Sequence, residues 1–555
     1  MNFLSRYLDR TEFSSYEDFI ANYKLNIPES FNFSYDIVDE YARLEPDKPA
    51  LIWFNDIEEK HFSFGDIARE SNKAANAFRR LGIRKGDPVL LMLRERPEAW
   101  ICIVALCKLG AIAIPATYQL AAEDIVYRCQ AAGIKLICAT DDPGRQEMIC
   151  EALPECSDCL GAAIVGSNLL PGMIDLRAEI AASPETFDRV QTRNEETMLI
   201  YFSSGTTGFP KMIAHDYTYP LGHIVTAKYW QHVEDGGRHF THSDSGWAKF
   251  AWGKIYGQWI AGAVIIAYDS ERFSAHKLLA ALDRLKPVTF CAPPTVYRNM
   301  ISEDMSSCDF SSLHHLCSAG EPLNPEVIAR MKDVTGLEIH EGFGQSETTV
   351  LLANFGWDPI KCGSTGKPAP LYHTTLLDTD GTPCEDGIVG SIVIRDTDQA
   401  HPCGLFRGYL KNPEAMAESW CDGVYNTRDT AWRDSDGYYW FEGRNDDVIK
   451  CSGYRIGPFE VESVLQTHPA VLESAVTAVP DPVRGEVVKA TIILNRGYSP
   501  SDELAAELKN HVKHNTAPYK YPRVIEFVES LPKTPSGKIK RAEIRAADLK
   551  KYGKR

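Results

Sequence analysis

The stretch MLIYFSSGTTGFPK, Met198 to Lys211, sets an apolar run directly before hydroxyls, glycines and a lysine. It reads as a buried strand emptying into a loop whose backbone can approach a ligand closely. Ser203, Ser204, Thr206 and Thr207 offer hydroxyl donors, Gly205 and Gly208 let amides turn inward, and Lys211 adds a positive charge. That set suits a polyphosphate. It is not a Walker loop, because Pro210 stands where the second glycine belongs and Met212, not Ser or Thr, follows the lysine. Taken alone, an ordinary Ser/Gly surface loop fits equally well.

The composition narrows the partners. A chain of 555 residues with 44% hydrophobic and 24% charged residues is globular and long enough for at least two domains. A formal net charge of −17 argues against a nucleic-acid backbone, which needs a basic surface, and favours small molecules. The most apolar stretch, Ala99 to Ala116, is interrupted by Lys108 and ends near a proline, so it reads as buried helix and strand rather than an integral membrane segment. The first residues, MNFLSRYLDRTEFSSYEDF, carry acids early and lack an apolar signal core, and the expected compartment is the cytoplasm. Fifteen scattered cysteines suggest reduced, mostly buried thiols. Cys156 and Cys159 form a CxxC pair, but no partner set follows at metal spacing.

From Phe64 to Pro115, helical stretches alternate with short apolar strands, the rhythm of an α/β layer, and the pattern resumes after residue 160. The texture changes at GRNDDVIKCSGYRIGP, a polar, Gly-punctuated connector starting at Gly443. We therefore expect a large multi-subdomain N-terminal α/β body over 1–445 and a small α+β C-terminal domain over 446–555.

Further segments decide the meaning of the opening loop. SAGEPL (Ser318 to Leu323), EGFGQSE (Glu341 to Glu347), GSTGKP, YNTRD, GRNDDVIK and LPKTPSGKIKR (Leu531 to Arg541) follow it in turn. Together with YFSSGTTGFPK they closely resemble, in order and along essentially the whole chain, the adenylate-forming superfamily: acyl-CoA synthetases, luciferases and peptide-synthetase adenylation domains. Medium-chain acyl-CoA synthetases look most similar, on Gln119 in PATYQL, GWAKFAWG, SGYRIGP, DPVRGEVVKA and YPR.

The resemblance implies an AMP-forming acid:CoA ligase using ATP, Mg2+ and coenzyme A. The nucleotide site would comprise the phosphate loop, Gly320, Glu321, Pro322, Glu341, Gly342, Phe343, Gly344, Gln345, Ser346, Asp429 and Arg444. Phe343 would face the adenine and Asp429 the ribose. Phe343 and Ser346 replace a commoner tyrosine and threonine, keeping ring and hydroxyl. Glu347 would be the Mg2+ ligand, and carboxylate oxygen suits that hard cation. Lys538 would be the catalytic lysine, with Ser346 and Glu347 beside it. The C-terminal domain would be mobile, rotating about Asp446 between two half-reactions. Coenzyme A would meet Ser452, Gly453, Tyr454, Arg455, Arg484, Lys513, Tyr521, Pro522 and Arg523. Gln119, Lys249, Trp252 and Gly344 would border the acid. Acetate-specific relatives carry tryptophan where this chain has Gly344, which implies room for a medium-chain, branched or aromatic acid. A carrier-protein-loading enzyme and a non-catalytic nucleotide-binding protein are the alternatives, and a homodimer is left open.

Overall fold

The computed structural model describes residues 3–552 except 143, 204–209, 322, 324, 446, 452, 453, 482–484 and 534–538. The opening strand, Thr197–Phe202, lies inside an eight-stranded sheet between Ile112–Pro115 and Met212–Asp216. It pairs antiparallel with the latter, Phe202 opposite Met212, so residues 203–211 connect the two strands of a hairpin.

A second, nine-stranded sheet contains six successive parallel strands: Ile339–Phe343, His315–Ala319, Thr289–Cys291, Arg238–Thr241, Val264–Tyr268 and Pro49–Phe54. Every residue of Val264–Tyr268 is buried, as expected of a strand covered on both faces. A third sheet pairs Val424–Arg433 with Tyr439–Arg444 and sets Asp429 opposite Arg444.

The helices follow from their sequence. Phe64–Arg80 starts at a Ser63/Asp66 capping box and buries Ile67, Ser71, Ala74, Ala75 and Phe78 along one stripe. Pro97–Leu109 is buried all round and stops at Gly110, whose φ of 76° is the left-handed conformation a helix end favours. Its Lys108 is wholly buried yet charge-compensated, its ammonium 2.6 Å from both Asp39 Oδ1 and Asn72 Oδ1. The Ala99 to Ala116 stretch is thus helix and strand, as read from sequence. Among the described residues no helix is long and apolar enough to cross a membrane.

From Ile449 onward the chain builds a separate five-stranded sheet. Helices Pro458–Gln466, Asp502–Asn515 and Arg541–Tyr552 accompany it. An apolar cluster of its own includes Ile449, Val461, Val476, Ile492 and Leu508. It meets the preceding strand where the Phe441 and Phe459 rings stand 6.5 Å apart.

Candidate active site

The hairpin turn is closed at its neck by Ser203, whose hydroxyl accepts the Lys211 amide at 3.1 Å while its own amide donates to Lys211 O at 3.0 Å. The Ser203 side chain therefore ties the two ends of the loop together. Lys211 projects its ammonium over the Tyr409 ring, 4.8 Å from the centroid, and the Tyr409 hydroxyl donates to Glu347 Oε1 at 2.8 Å. Burial lowers the Lys211 pKa, and the charge of Arg428 adds to this while Glu418 and Glu347 oppose it. Glu347 is shifted the other way: burial raises its pKa against the pull of Tyr409, Arg444 and Lys211. One carboxylate thus stands among two cations and a phenol. Next to it, Ser346 O is held at 2.7 Å by the buried ring of His215, which desolvation keeps neutral with a pKa near 4.

Gln345 ties this cluster to the third sheet. Its amide nitrogen donates to Asp429 Oδ2 at 2.6 Å and to Thr427 O at 2.8 Å, and its carbonyl accepts from Tyr425 OH at 2.8 Å. Asp429, only 7% exposed, is therefore no surface ion-pair residue. Glu341 accepts from Leu323 N at 3.1 Å, and burial pushes its pKa up to about 8. Glu321 faces the helix Pro294–Ile301, meeting Thr295 Oγ1 at 3.1 Å and Arg298 at 3.2 Å. The Phe343 ring is half-buried and 5.8 Å from that of Phe441.

The opposite flank is apolar. Gly342 and Gly344, two apart, each turn toward an indole: a Cβ on Gly342 would lie 2.6 Å from Trp230, and one on Gly344 would lie 2.4 Å from Trp252 and 2.6 Å from Thr349 O. Trp230 ends a π-helical turn, Val225–Trp230, and packs edge-on against Trp252 with centroids 6.0 Å apart. The space that Gly344 vacates is thus taken by Trp252, which refines the sequence expectation of open room: the indole borders Gly344 directly. Lys249, on the same short helix as Trp252, donates its ammonium to Ala319 O, beside Gly320. Gln119 is exposed, its backbone N–H donating to Thr117 Oγ1 at 3.3 Å, in a loop whose Ala116–Thr117 peptide lies directly against Gly246.

In the C-terminal sheet, Lys513 and Arg523 both cover the Tyr521 ring, at 4.2 and 4.8 Å from its centroid, with Pro522 between the latter two in sequence. Arg523 N donates to Val488 O, three residues along the strand from Gly485, the register partner of Cys451. Lys513, Tyr521 and Arg523 therefore gather near one end of that sheet. Ser204, Gly205, Thr206, Thr207, Gly208, Pro322, Asp446, Ser452, Gly453, Arg484 and Lys538 lie outside the described residues, as do the side chains of Tyr454 and Arg455.

Sequence reasoning missed Tyr409, Tyr425 and Trp230. Nothing in FRGYL marks Tyr409 as a partner of a glutamate far upstream. The alternate glycines of EGFG, in contrast, signal a strand face pressed against something large.

For Mg2+, no group of three or more His, Cys, Asp or Glu side chains among the described residues could hold a metal. The donor set fits this cation nonetheless, since it is commonly held by one or two carboxylates together with phosphate oxygens. Glu347 supplies such a carboxylate.

Residues 38–410 match the AMP-binding enzyme family, and residues 460–538 match the AMP-binding enzyme C-terminal domain. Acyl-coenzyme A synthetase ACSM3, mitochondrial, of Mus musculus is 41% identical over 543 residues, covering 96% of this chain and 93% of that protein. Among solved structures, the anthranilate CoA ligase AuaEII in complex with anthranoyl-AMP superimposes with a TM-score of 0.87 at 29% identity, covering 95% of this chain and 99% of that one. A benzoate CoA ligase from Burkholderia xenovorans LB400 gives 0.82 at 26% identity, with 93% and 100% covered. With the family match over residues 38–410 and 460–538 and these relatives along nearly its whole length, the chain belongs to the AMP-binding enzyme family, on its acyl-coenzyme A synthetase branch.

Proposed function

We propose that the protein joins a medium-chain, branched or aromatic carboxylate to coenzyme A through an acyl adenylate, releasing pyrophosphate and then AMP. The observation that carries this reading is the convergence of Lys211, Arg444 and Glu347 around Tyr409, beside the Gln345–Asp429 bridge. Cations there suit the triphosphate, and a carboxylate suits its metal. Bound with the nucleotide, Mg2+ would offset phosphate charge, held by Glu347. Asp429 would accept from the ribose hydroxyls, Phe343 would cover the adenine beside Glu321 and Gly320, and Gln119, Lys249, Trp252 and Gly344 would border the acid.

The body is proposed to span 1–445 and the lid 446–555, turning at Asp446. Next to that position, Asp447 is held by Arg545 of the last helix. Arg541, three residues beyond Lys538, supports a lid docked over the nucleotide. Burial lowers the Arg541 pKa, but the carboxylates of Glu462, Asp447 and Glu321 outweigh it, and Glu321 belongs to the body's SAGEPL segment. A cation arriving this way stabilises charge as the acid attacks the α-phosphate. After lid rotation, Lys513, Tyr521, Pro522 and Arg523, with Ser452, Gly453, Tyr454, Arg455 and Arg484, would receive coenzyme A.

The test is pyrophosphate release from ATP, Mg2+ and a panel of carboxylates, with and without coenzyme A. Acyl-CoA production is expected, whereas ADP formation, or pyrophosphate exchange with no coenzyme A consumed, overturns the reading. Lys538→Ala is expected to abolish adenylation yet spare thioester formation from supplied acyl-AMP. The cytoplasm is the proposed compartment although the murine relative's name places that protein in mitochondria, and imaging a tagged chain decides it. Sedimentation tests for a homodimer.

A further inference from the structure

The strand Val424–Arg433 carries a residue whose backbone and side chain are at odds. Arg428 has a φ of 64°, in the left-handed region that glycine enters freely and a residue with a β-carbon rarely does. Its main chain is pinned there: the Arg428 N–H donates to Asn426 Oδ1 at 2.8 Å, and the Arg428 carbonyl accepts from Asn445 N at 2.8 Å. Neither bond uses the arginine side chain, so glycine would meet both with less strain. Backbone strain that persists in this way gathers at binding sites.

The position is the edge of the crevice. On one side of Arg428 the Gln345 amide donates to Thr427 O at 2.8 Å, and on the other to the Asp429 carboxylate at 2.6 Å. The guanidinium reaches the helix Pro413–Ser419, where Nη2 donates to Glu418 Oε2 at 2.6 Å. That helix leans on the Lys211 cluster, since Met416 Sδ accepts from Tyr409 N at 3.1 Å and the Tyr409 ring carries the Lys211 ammonium. After burial, the main cause, the charge of Arg428 is the next to lower the Lys211 pKa, and Glu418 opposes it. With 30% of the arginine side chain and 58% of the glutamate exposed, the ion pair is open to solvent and weakly held.

We propose that Arg428 is a further phosphate-binding residue: when ATP enters, its guanidinium leaves Glu418 and joins Lys211 on the two terminal phosphates, those that depart as pyrophosphate. The planar fork of an arginine matches two phosphate oxygens at once, and a polyphosphate carries more charge than a single carboxylate. AMP lacks those phosphates and leaves the arginine on Glu418. Glu418 is thus a competitor that takes the arginine back as pyrophosphate goes. The ligand rests on the nucleotide site proposed above, whereas the strained arginine and its ion pair do not.

The experiment measures binding of ATP, AMP and pyrophosphate to the full chain by calorimetry, with thermal denaturation alongside. Arg428→Gly suits the left-handed backbone and should keep or raise Tm. It should also raise Kd for ATP and for pyrophosphate about tenfold, the scale of a lost hydrogen bond to a charged group, and leave Kd for AMP unchanged. Glu418→Ala, a variant independent of the strained position, should lower Kd for ATP severalfold, and by less when residue 428 is already glycine. A fall in Tm with Arg428→Gly, an ATP affinity that ignores either substitution, or AMP weakened as much as ATP overturns the proposal. An unsubstituted chain that binds neither ATP nor AMP overturns the nucleotide-site reading instead.

Discussion

In the segment 339–347, Gly342 and Gly344 lie flat against the indoles of Trp230 and Trp252, while at its end Glu347 stands half-buried among Lys211, Arg444 and a phenol. The first arrangement is complete in itself. Apolar rings fill the space to contact distance, and the cost of removing them is a cavity. The second carries a surplus of positive charge whose natural complement is a bound polyphosphate. A preformed wall and an electrostatically unfinished socket thus share one short segment, which is how a site can be selective for shape at one end and for charge at the other.

The contrast is open to attack from either side. Glu347→Ala should have the largest effect, a loss of about 10²–10³ in the rate of acid-dependent pyrophosphate release, the size found when one preorganised transition-state contact is deleted. Folding should be spared, because burial already raises the Glu347 pKa, so its ionised form is no net stabiliser of the native state, and a Tm unchanged or raised would check this. If stability falls instead, the socket is a structural element and the contrast fails.

Tyr409→Phe should cost about 1.5–3 kcal/mol of transition-state stabilisation, the range for a hydrogen bond to a charged group. The ring remains under Lys211, so the loss isolates the hydroxyl. Because that hydroxyl pulls the Glu347 pKa down, its removal should move the acid limb of the kcat/KM profile to higher pH.

Gly344→Ala probes the wall. Its methyl would meet Trp252 and Thr349 O, and a loss of about 1–3 kcal/mol in stability is expected from overpacking, read by chemical denaturation. Affinity for ATP should stay constant, whereas affinity for the acid should change.

At Glu341 the expected effect is one of pH. Its carboxyl, at about 8 in the folded chain against an ordinary 4.5, holds a proton that the unfolded chain releases between those values, so stability falls as pH rises through that window. Glu341→Gln, which cannot ionise, should show a flatter dependence of Tm on pH over the same range.

Much of this was legible beforehand. The strand before Ser203, the buried helix and strand around Lys108, and the change of texture at Gly443 all followed from periodicity and punctuation, because those are local properties of the chain. The order of the motifs gave the family. The partners were another matter. Tyr409 reaches Glu347, and Tyr425 reaches Gln345, only because separate sheets converge, and neither residue carries a pattern that announces it. Glu321 was expected beside adenine, but its carboxylate is engaged by Thr295 and Arg298, a competition that only three-dimensional neighbours reveal.

Trp252 rests on a backbone that offers it no side chain to interlock with. On the proposed acid site, exchanging that one ring for smaller ones would open space beside Gly344 while the chain beneath stayed still. A panel of single replacements at position 252 would therefore serve as a ruler for how bulky an acid the enzyme accepts.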